Sequence, residues 1–338
     1  MQKYMTNYKT DPKYVLPSPE WFYRQFGIQW DGQYTTLGSN TAQVVKIQRM
    51  DPDETLVIRI SDPSRISQDR ISQIHRFQTY LRTQGVFTAL PYETPQGETF
   101  STTESGFTIE VYPFIHGKSP QRGDFEDVRL VARAIARLHH AGVDYLDLPG
   151  EESLFQNHVA LEQLREDVRR AKELSKGKVF YNLYMEYTKE AERWIAAIQA
   201  LRTGLIETSL HLDTGPQNMI TDADGQLWFI DCNHMLRGRR VFEVCVSIYY
   251  MDCSSEAPLK APHRYQGPDP QLETVFLDEY KEFCELPWTS AENQALNIER
   301  MLMLIHGATY WTSRWDENTV REELIRFGDY RQALRANI

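Results

Sequence analysis

Cysteine is scarce in this sequence of 338 residues: Cys232, Cys245, Cys253 and Cys284 are the only four, all in the second half and none in a C-x-x-C pair. This excludes a disulfide framework as the organising element and fits a reduced, intracellular chain. Long apolar runs are also missing. No segment approaches the roughly 20 apolar residues that span a bilayer. The opening MQKYMTNYKTDPKYVLPSP lacks the apolar stretch of a signal peptide. Both absences point to a cytoplasmic protein without a membrane partner. Basic excess is absent as well: 37 Lys and Arg stand against 47 Asp and Glu, a formal net charge of -10 with no basic run. That argues against nucleic acid and anionic lipid and leaves neutral or cationic ligands. There is no internal repeat, no low-complexity tract, and no H-E-x-x-H or G-x-S-x-G signature. Two fragments imitate motifs without completing them. Gly117-Lys118-Ser119 looks like the end of a P-loop, but Tyr112 stands where its first glycine is required. Asp222-x-Asp224-Gly225 starts like a calcium loop and lacks the remaining ligands.

What is present divides in two. A short helix is expected at Pro19–Phe26. Thr41–Gln48 and Thr55–Ser61 are rich in β-branched residues around an Asp51-Pro52-Asp53 turn and read as paired strands. Ile71, Ile74, Phe77, Tyr80 and Leu81 follow helical spacing up to Gly85. Two more strand-like runs, GETFST and GFTIEVYPF, follow. The pattern then turns helical, at Val128–Ala141, Leu154–Leu174 and Tyr184–Leu201. It is interrupted by a β segment near residues 205–231 and resumes from Gln271 to Trp315. Gly117-Lys118-Ser119-Pro120 has linker character. The expected class is therefore α+β: residues 1–115 a β-rich lobe with an N-terminal extension, residues 116–338 a mainly helical lobe.

The chemistry is concentrated in HLDTGPQNMITDADGQLWFID, His211 to Asp231. Asp224-Gly225 is a two-residue hairpin signal of the type that needs φ > 0 at both positions. The register that follows sets Asn218 opposite Asp231, where an amide oxygen and a carboxylate could converge on one ion. Asp213 lies five residues before Asn218, in a loop with Gly215 and Pro216. Hard oxygen ligands suit Mg2+ shared with phosphates. A further carboxylate is what phosphoryl transfer needs to orient or deprotonate a hydroxyl.

With those residues in place, H-x-D-x-x-x-x-N followed by a strand ending in Ile-Asp resembles the catalytic and metal loops of the aminoglycoside phosphotransferase and choline kinase-like superfamily, a branch of the protein kinase fold. The resemblance implies a bilobal protein kinase-like fold with an antiparallel β N-lobe. It makes Asp213 the catalytic aspartate, His211 the residue bracing its loop, and Asn218 and Asp231 the metal ligands. More weakly, TTLGSNTAQVVKI resembles the nucleotide-covering turn, with backbone N–H groups of Gly38, Ser39 and Asn40 near the phosphates. LVIRI resembles the strand presenting a basic residue to the phosphates, here Arg59. IEVYPFIHG resembles the lobe connection, with Tyr112 and Phe114 near the base. AIARLHHAG resembles a family helix in which Leu138 and His139 pack.

Two departures stand out. The family has an acidic residue on the N-lobe helix paired to the basic strand residue, whereas Ile74–Gln78 offers only His75 and Gln78. Asp231-Cys232-Asn233 carries a neutral residue where a second acid is common, implying a weaker second metal site. The implied activity is ATP- or GTP-dependent, Mg2+-assisted transfer of a γ-phosphate to a hydroxyl of a small molecule: an aminoglycoside, a choline-like amine, a hydroxy amino acid or a sugar. The alternative is a non-catalytic kinase-like nucleotide-binding or scaffold protein. Met301, Leu304, Ile305 and Ala308 are expected to face the core. Asp252 and Glu256 are candidates for attracting a cationic acceptor.

Overall fold

Ser18 and Pro19 start the first helix, α1 (Pro19–Phe26): the Ser18 hydroxyl accepts from the Trp21 N–H at 3.3 Å, and Pro19 occupies the first turn, where no N–H is needed. Gly27 ends it in the left-handed region (φ 67), its N–H returning to the Tyr23 carbonyl at 2.9 Å. The computed structural model describes residues 14–37, 42–150, 160–252 and 265–336. These separate into two compact units, one of residues 1–118 with 220–233 and one of residues 119–219 with 234–338.

The first unit is built on a five-stranded antiparallel sheet. Its strands are β1 (Trp30–Leu37), β2 (Gln43–Met50), β3 (Asp53–Ser61), β4 (Ser101–Thr102) and β5 (Thr108–Pro113), in the order β1-β2-β3-β5-β4. Alternation along β3 sends Leu56, Ile58 and Ile60 to one face, where they join Ile109 and Val111 of β5 and Phe22 and Phe26 of α1 in a continuous apolar cluster. The opposite face carries Arg59 and Ser61 of β3 and Glu110 and Tyr112 of β5. Helix α2 (Gln68–Thr83) lies over it, since His75 of α2 hydrogen-bonds both Glu110 and Tyr112. A hairpin of β7 (Met219–Thr221) and β8 (Leu227–Phe229) docks on the segment that follows α2, with the Phe229 N–H on the Phe87 carbonyl at 2.9 Å and Arg82 lying over the rings of Phe87 and Trp228.

Gly117 explains its own identity here. Lys118 and Thr221 exchange backbone hydrogen bonds (3.0 and 2.8 Å), and a Cβ on Gly117 would sit 2.2 Å from the Thr221 carbonyl oxygen. The P-loop look-alike is thus a close approach of two backbones. Gly117→Ala must push them apart and is expected to cost roughly 1–3 kcal/mol, as overpacking does. An unchanged urea midpoint would refute this account.

The second unit is mainly helical. Its elements are α3 (Phe125–Gly142), α4 (Leu161–Ser175), α5 (Tyr181–Thr188), α6 (Ala191–Leu201), β6 (Glu207–Leu210), β9 (Leu236–Arg239), α7 (Arg240–Met251), α8 (Pro270–Phe283), α9 (Ser290–Arg314), α10 (Glu317–Arg326) and α11 (Gly328–Ala336). The 25-residue α9 is its axis, with Met301, Leu304, Ile305 and Ala308 buried against α4, α5, α6, α10 and α11. Strand β6 pairs with β9, Glu207 opposite Arg239 and Leu210 opposite Leu236. Arg237 of β9 closes the C-terminus of α3 by donating to the carbonyls of Gly142, Val143 and Tyr145 at 2.7–3.1 Å, a favourable place for a cation.

Several expectations need correction. The helix expected over Leu154–Leu174 runs from Leu161, and residues 151–159 lie outside the described ones. Tyr184–Leu201 is broken into α5 and α6, and Gln271–Trp315 into α8 and α9 around Cys284–Thr289, where Pro287 has no N–H to continue a helix. Between the expected β segment and the helical tail, strand β9 precedes α7. Among the described residues, no helix is long and apolar enough to cross a membrane, and Cys232, Cys245 and Cys284 are buried free thiols.

Candidate active site

The first unit gathers Arg59, Asp231 and Asn233, residues far apart in sequence. Arg59 donates from Nη1 to Asp231 Oδ1 at 2.9 Å. With the Asn233 amide turned so that its carbonyl faces the guanidinium, Oδ1 of Asn233 accepts from Arg59 Nε (2.8 Å) and Nη2 (2.6 Å). A lysine could not present this fork. The neutral residue two positions after Asp231 is therefore a partner of the basic residue. Asp231 itself sits at φ 55, a left-handed conformation that aspartate tolerates better than most side chains, and the next residue, Cys232, is buried against the Thr88 hydroxyl at 3.3 Å.

Glu110 stands directly across the ladder from Arg59. It is fully buried, its Oε2 3.9 Å from Arg59 Nε and accepting from the Ser61 hydroxyl at 3.2 Å. Its Oε1 accepts from Tyr112 (2.6 Å) and meets His75 Nε2 (3.0 Å), while His75 Nδ1 meets the Thr99 hydroxyl at 2.7 Å. Burial alone would push the Glu110 carboxyl up. The hydrogen bond and charge of His75, then the charge of Arg59, overcome it and hold the group below its ordinary value. Arg59 behaves in parallel: burial opposes its charge, and Asp231 followed by Glu110 restores it and lifts the guanidinium above its usual range. Ile74–Gln78 of α2 offers no acid, and the carboxylate beside Arg59 lies on the neighbouring strand. Tyr112, expected near a nucleotide base, turns its hydroxyl into this network. Phe114 lies under the Lys46 ammonium, 5.5 Å from its ring centre, with its N–H on the Thr55 carbonyl at 3.0 Å. Gly38, Ser39 and Asn40 lie outside the described residues.

The second unit holds His211, Asp213 and Asn218 on the loop that follows β6. Leu212 takes φ 68, an outlier for a bulky residue that costs on the order of 1–3 kcal/mol unless its surroundings impose it. What imposes it is Glu243 of α7. This fully buried carboxylate accepts from two successive backbone N–H groups, His211 (3.1 Å) and Leu212 (2.5 Å), and also meets His139 Nε2 at 2.8 Å. Burial would raise the Glu243 carboxyl; the hydrogen bond and charge of His139, with His211 behind them, hold it lowered. His139 is anchored in turn by the Tyr280 hydroxyl at 2.7 Å, so its role is to support the loop. His211, also buried, accepts the Asp213 N–H on Nδ1 at 3.3 Å. Asn218 donates Nδ2 to the Asp213 carbonyl at 3.0 Å, which commits the amide nitrogen to the loop and turns the amide oxygen elsewhere. Among the described residues, the Asp213 carboxylate has no hydrogen bond; it lies within electrostatic reach of Tyr250, whose hydroxyl is pushed up by burial and then by Asp213.

The hairpin differs from expectation. Of its turn residues only Gly225 has positive φ (75), so the two-residue turn does not form. Asp222 Oδ1 captures the N–H groups of Asp224 (3.0 Å) and Gln226 (2.9 Å), and the Asp222 N–H bonds the Gln226 carbonyl at 3.0 Å, leaving a three-residue loop. One added loop residue shifts the register by one, and the pairing that set Asn218 opposite Asp231 does not hold. Asp252, a candidate for attracting a cationic acceptor, is fully buried with Tyr265 among its neighbours, and Glu256 lies outside the described residues. Glu110 and Glu243 escaped the sequence reading. Their one signal was a lone acid inside an apolar run, IEV and FEVCV.

No cluster of three or more His, Cys, Asp or Glu side chains stands ready for a metal among the described residues. The Asp231 carboxylate of the first unit is a hard oxygen donor of the kind that suits an ion taking most of its ligands from phosphates and water.

The sheet-plus-helices architecture and the H-x-D-x-x-x-x-N loop define a kinase-like phosphotransferase. The chain belongs to the phosphotransferase enzyme family, whose model matches residues 36–273. It is 26% identical over 294 residues to stress response kinase A of Escherichia coli, covering 86% of this chain and 80% of that one. It is 24% identical over 297 residues to the serine/threonine protein kinase RdoA of Salmonella typhimurium, with the same coverage. Among solved structures, amicoumacin kinase hAmiN in complex with AMP-PNP, Ca2+ and Ami shares the fold, with a TM-score of 0.71, 13% identity, and 100% of this chain and 96% of that chain covered. The kinase-like fold expected from the sequence is the one found.

Proposed function

We propose that this chain is an ATP- or GTP-dependent phosphotransferase that moves the γ-phosphate to a hydroxyl of a small molecule. The observation that carries the reading is the loop of the second unit, where Glu243 and His211 fix the backbone of Asp213 while its carboxylate makes no hydrogen bond within the described chain. A carboxylate held that way is suited to accept the proton of an attacking hydroxyl. Asn218 and Asp231 would hold Mg2+, which when bound supplies neutralisation of phosphate charge. Arg59 would steady the phosphates, with the backbone of Gly38, Ser39 and Asn40. The backbone near Tyr112 and Phe114 would receive the base.

A small acceptor is supported by the short segment between Asp231 and α7, residues 232–239. Half of it is strand β9, which leaves no extended stretch to serve as a platform for a peptide. The name of the Salmonella relative favours a protein acceptor instead. A screen of MgATP and MgGTP consumption against aminoglycosides, choline-like amines, hydroxy amino acids, sugars and a mixed protein substrate separates the two. Turnover on a small alcohol is the expected result. Phosphorylation of protein alone would refute the acceptor class, and absence of any melting shift with either nucleotide and Mg2+ would favour the scaffold reading. Nucleotide at a hundredfold excess over Kd stabilises a native state by about 2.7 kcal/mol.

A further inference from the structure

Asp231 cannot serve Arg59 and a metal ion equally well. One of its oxygens already receives the Arg59 Nη1 hydrogen bond at 2.9 Å. A divalent cation drawn to that carboxylate competes for the same negative charge and repels the guanidinium. Asn233, neutral, can orient the fork but cannot balance it. A side chain only 10% exposed, as that of Arg59 is, then needs a fixed counter-charge that the metal does not claim.

Glu110 has the required properties. It is on the strand beside Arg59 and paired with it in register, so both side chains leave the same face of the sheet. It is fully buried, which strengthens its field at the guanidinium. Its oxygens are pinned by Ser61, Tyr112 and His75, and His75 is pinned by Thr99. The carboxylate therefore has little freedom to follow a shift of Arg59 towards another partner. Its 3.9 Å approach to Arg59 Nε is longer than a direct hydrogen bond, so it acts on the guanidinium through its charge, while Asn233 and Asp231 take hydrogen bonds from the fork.

We infer that Glu110 is the positioning residue of Arg59: with His75 of α2 locking it, its carboxylate holds the guanidinium in place for a nucleotide phosphate once Asp231 is engaged by metal. The inference rests on the reading of Arg59 as a phosphate-binding residue. It goes beyond that reading by assigning to a strand glutamate and a helix histidine the task of fixing the arginine.

The test is a double-mutant cycle read by binding of Mg-AMP-PNP, or its guanine analogue if the wild type prefers it, so that no acceptor is needed. Arg59→Ala is expected to weaken binding about tenfold or more, the size of a lost charge-assisted hydrogen bond. Glu110→Gln is expected to weaken it several-fold, and in the Arg59→Ala background to weaken it no further. Thermal melting of each variant separates this from loss of fold. If Glu110→Gln does not melt cooperatively, Glu110→Asp, which keeps the charge and shortens the reach, is read in its place with the same non-additivity expected. Equal losses from the Glu110 change in both backgrounds would overturn the inference, because a structural role adds independently of Arg59. So would unchanged binding in the Glu110 variants when Arg59→Ala is impaired. Wild-type affinity in Arg59→Ala itself sinks the reading of Arg59, and this inference with it.

Discussion

Asp213→Asn is expected to leave Mg-nucleotide binding within about twofold of the wild type while lowering kcat by roughly 10²–10⁴-fold, the range a positioned acid–base group supplies. The substitution keeps the side-chain shape, and the loop does not depend on the carboxylate. Its supports are the Asp213 N–H on His211, the Asp213 carbonyl under Asn218, and the two N–H groups on Glu243, all of which survive. Binding and turnover should therefore separate cleanly. Asp231→Asn is the contrasting variant. It removes a charge that Arg59 already uses and that a cation would need, so Mg2+-dependent nucleotide affinity is expected to fall along with turnover. The pair is checked by titrating Mg-AMP-PNP into each protein and measuring initial rates on the acceptor found by screening. Full activity in Asp213→Asn would remove Asp213 from the mechanism.

The parts of this arrangement that sequence made visible are those governed by local rules. Helix α1 is bounded by its own cap residues, Ser18, Pro19 and Gly27, and its limits were legible to the residue. The β2 and β3 strands announce themselves by β-branched alternation around Asp51-Pro52. The hairpin was legible as a hairpin, but its turn was not. Asp224-Gly225 satisfies one turn type, while Asp222, two residues earlier, satisfies another by capturing N–H groups with its side chain, and the second prevailed. Strand β9 was hidden because its pairing with β6 is non-local, and Leu236–Tyr250 taken alone is as compatible with helix as with strand. The supporting acids were hidden for a different reason. Glu110 and Glu243 are charges that only long-range partners make tolerable: His75 and Arg59 for one, His139 and the loop N–H groups for the other. Without those partners in view, an acid in a strand or helix reads as a solvent-facing residue. The stretch Ile74–Gln78 of α2 offers no acid, and the carboxylate of Glu110 across the ladder from Arg59 became apparent only once β3 and β5 were in register.

Arg240→Ala is expected to be the most damaging single change to the stability of the second unit, and it lies away from Asp213. Arg240 opens α7 with no exposed surface. Its Nε donates to Glu292 Oε1 at 2.6 Å and its Nη2 to Glu292 Oε2 at 2.8 Å, a two-pronged pairing. The same guanidinium bonds the carbonyls of Leu286 (3.2 Å) and Pro287 (2.6 Å), which close the break between α8 and α9, and faces the rings of Tyr280 and Trp288. Glu292 has a second duty: it completes the capping box of α9, its Oε2 accepting from the Thr289 N–H at 2.8 Å while its own N–H bonds the Thr289 hydroxyl at 3.0 Å. Truncating Arg240 leaves a buried carboxylate with one backbone donor, two carbonyls without theirs, and a cavity between two aromatic rings. Removing one partner of a buried pair costs roughly 3–5 kcal/mol, a large share of the ~5–15 kcal/mol that holds a domain together. At 2–4 °C per kcal/mol for a unit of this size, the thermal midpoint should fall by about 6–20 °C. Lysine should recover little, because a single ammonium cannot reach both carboxylate oxygens and both carbonyls in one plane. The effect distinguishes this pair from the partly exposed pairs that Arg165 makes with Glu162 and Glu192, each worth under about 1 kcal/mol because water screens them. Calorimetry of Arg240→Ala, Arg240→Lys and Arg165→Ala side by side decides the matter, and an Arg240→Ala midpoint no lower than that of Arg165→Ala would show that the buried pair does not hold α7 to α9.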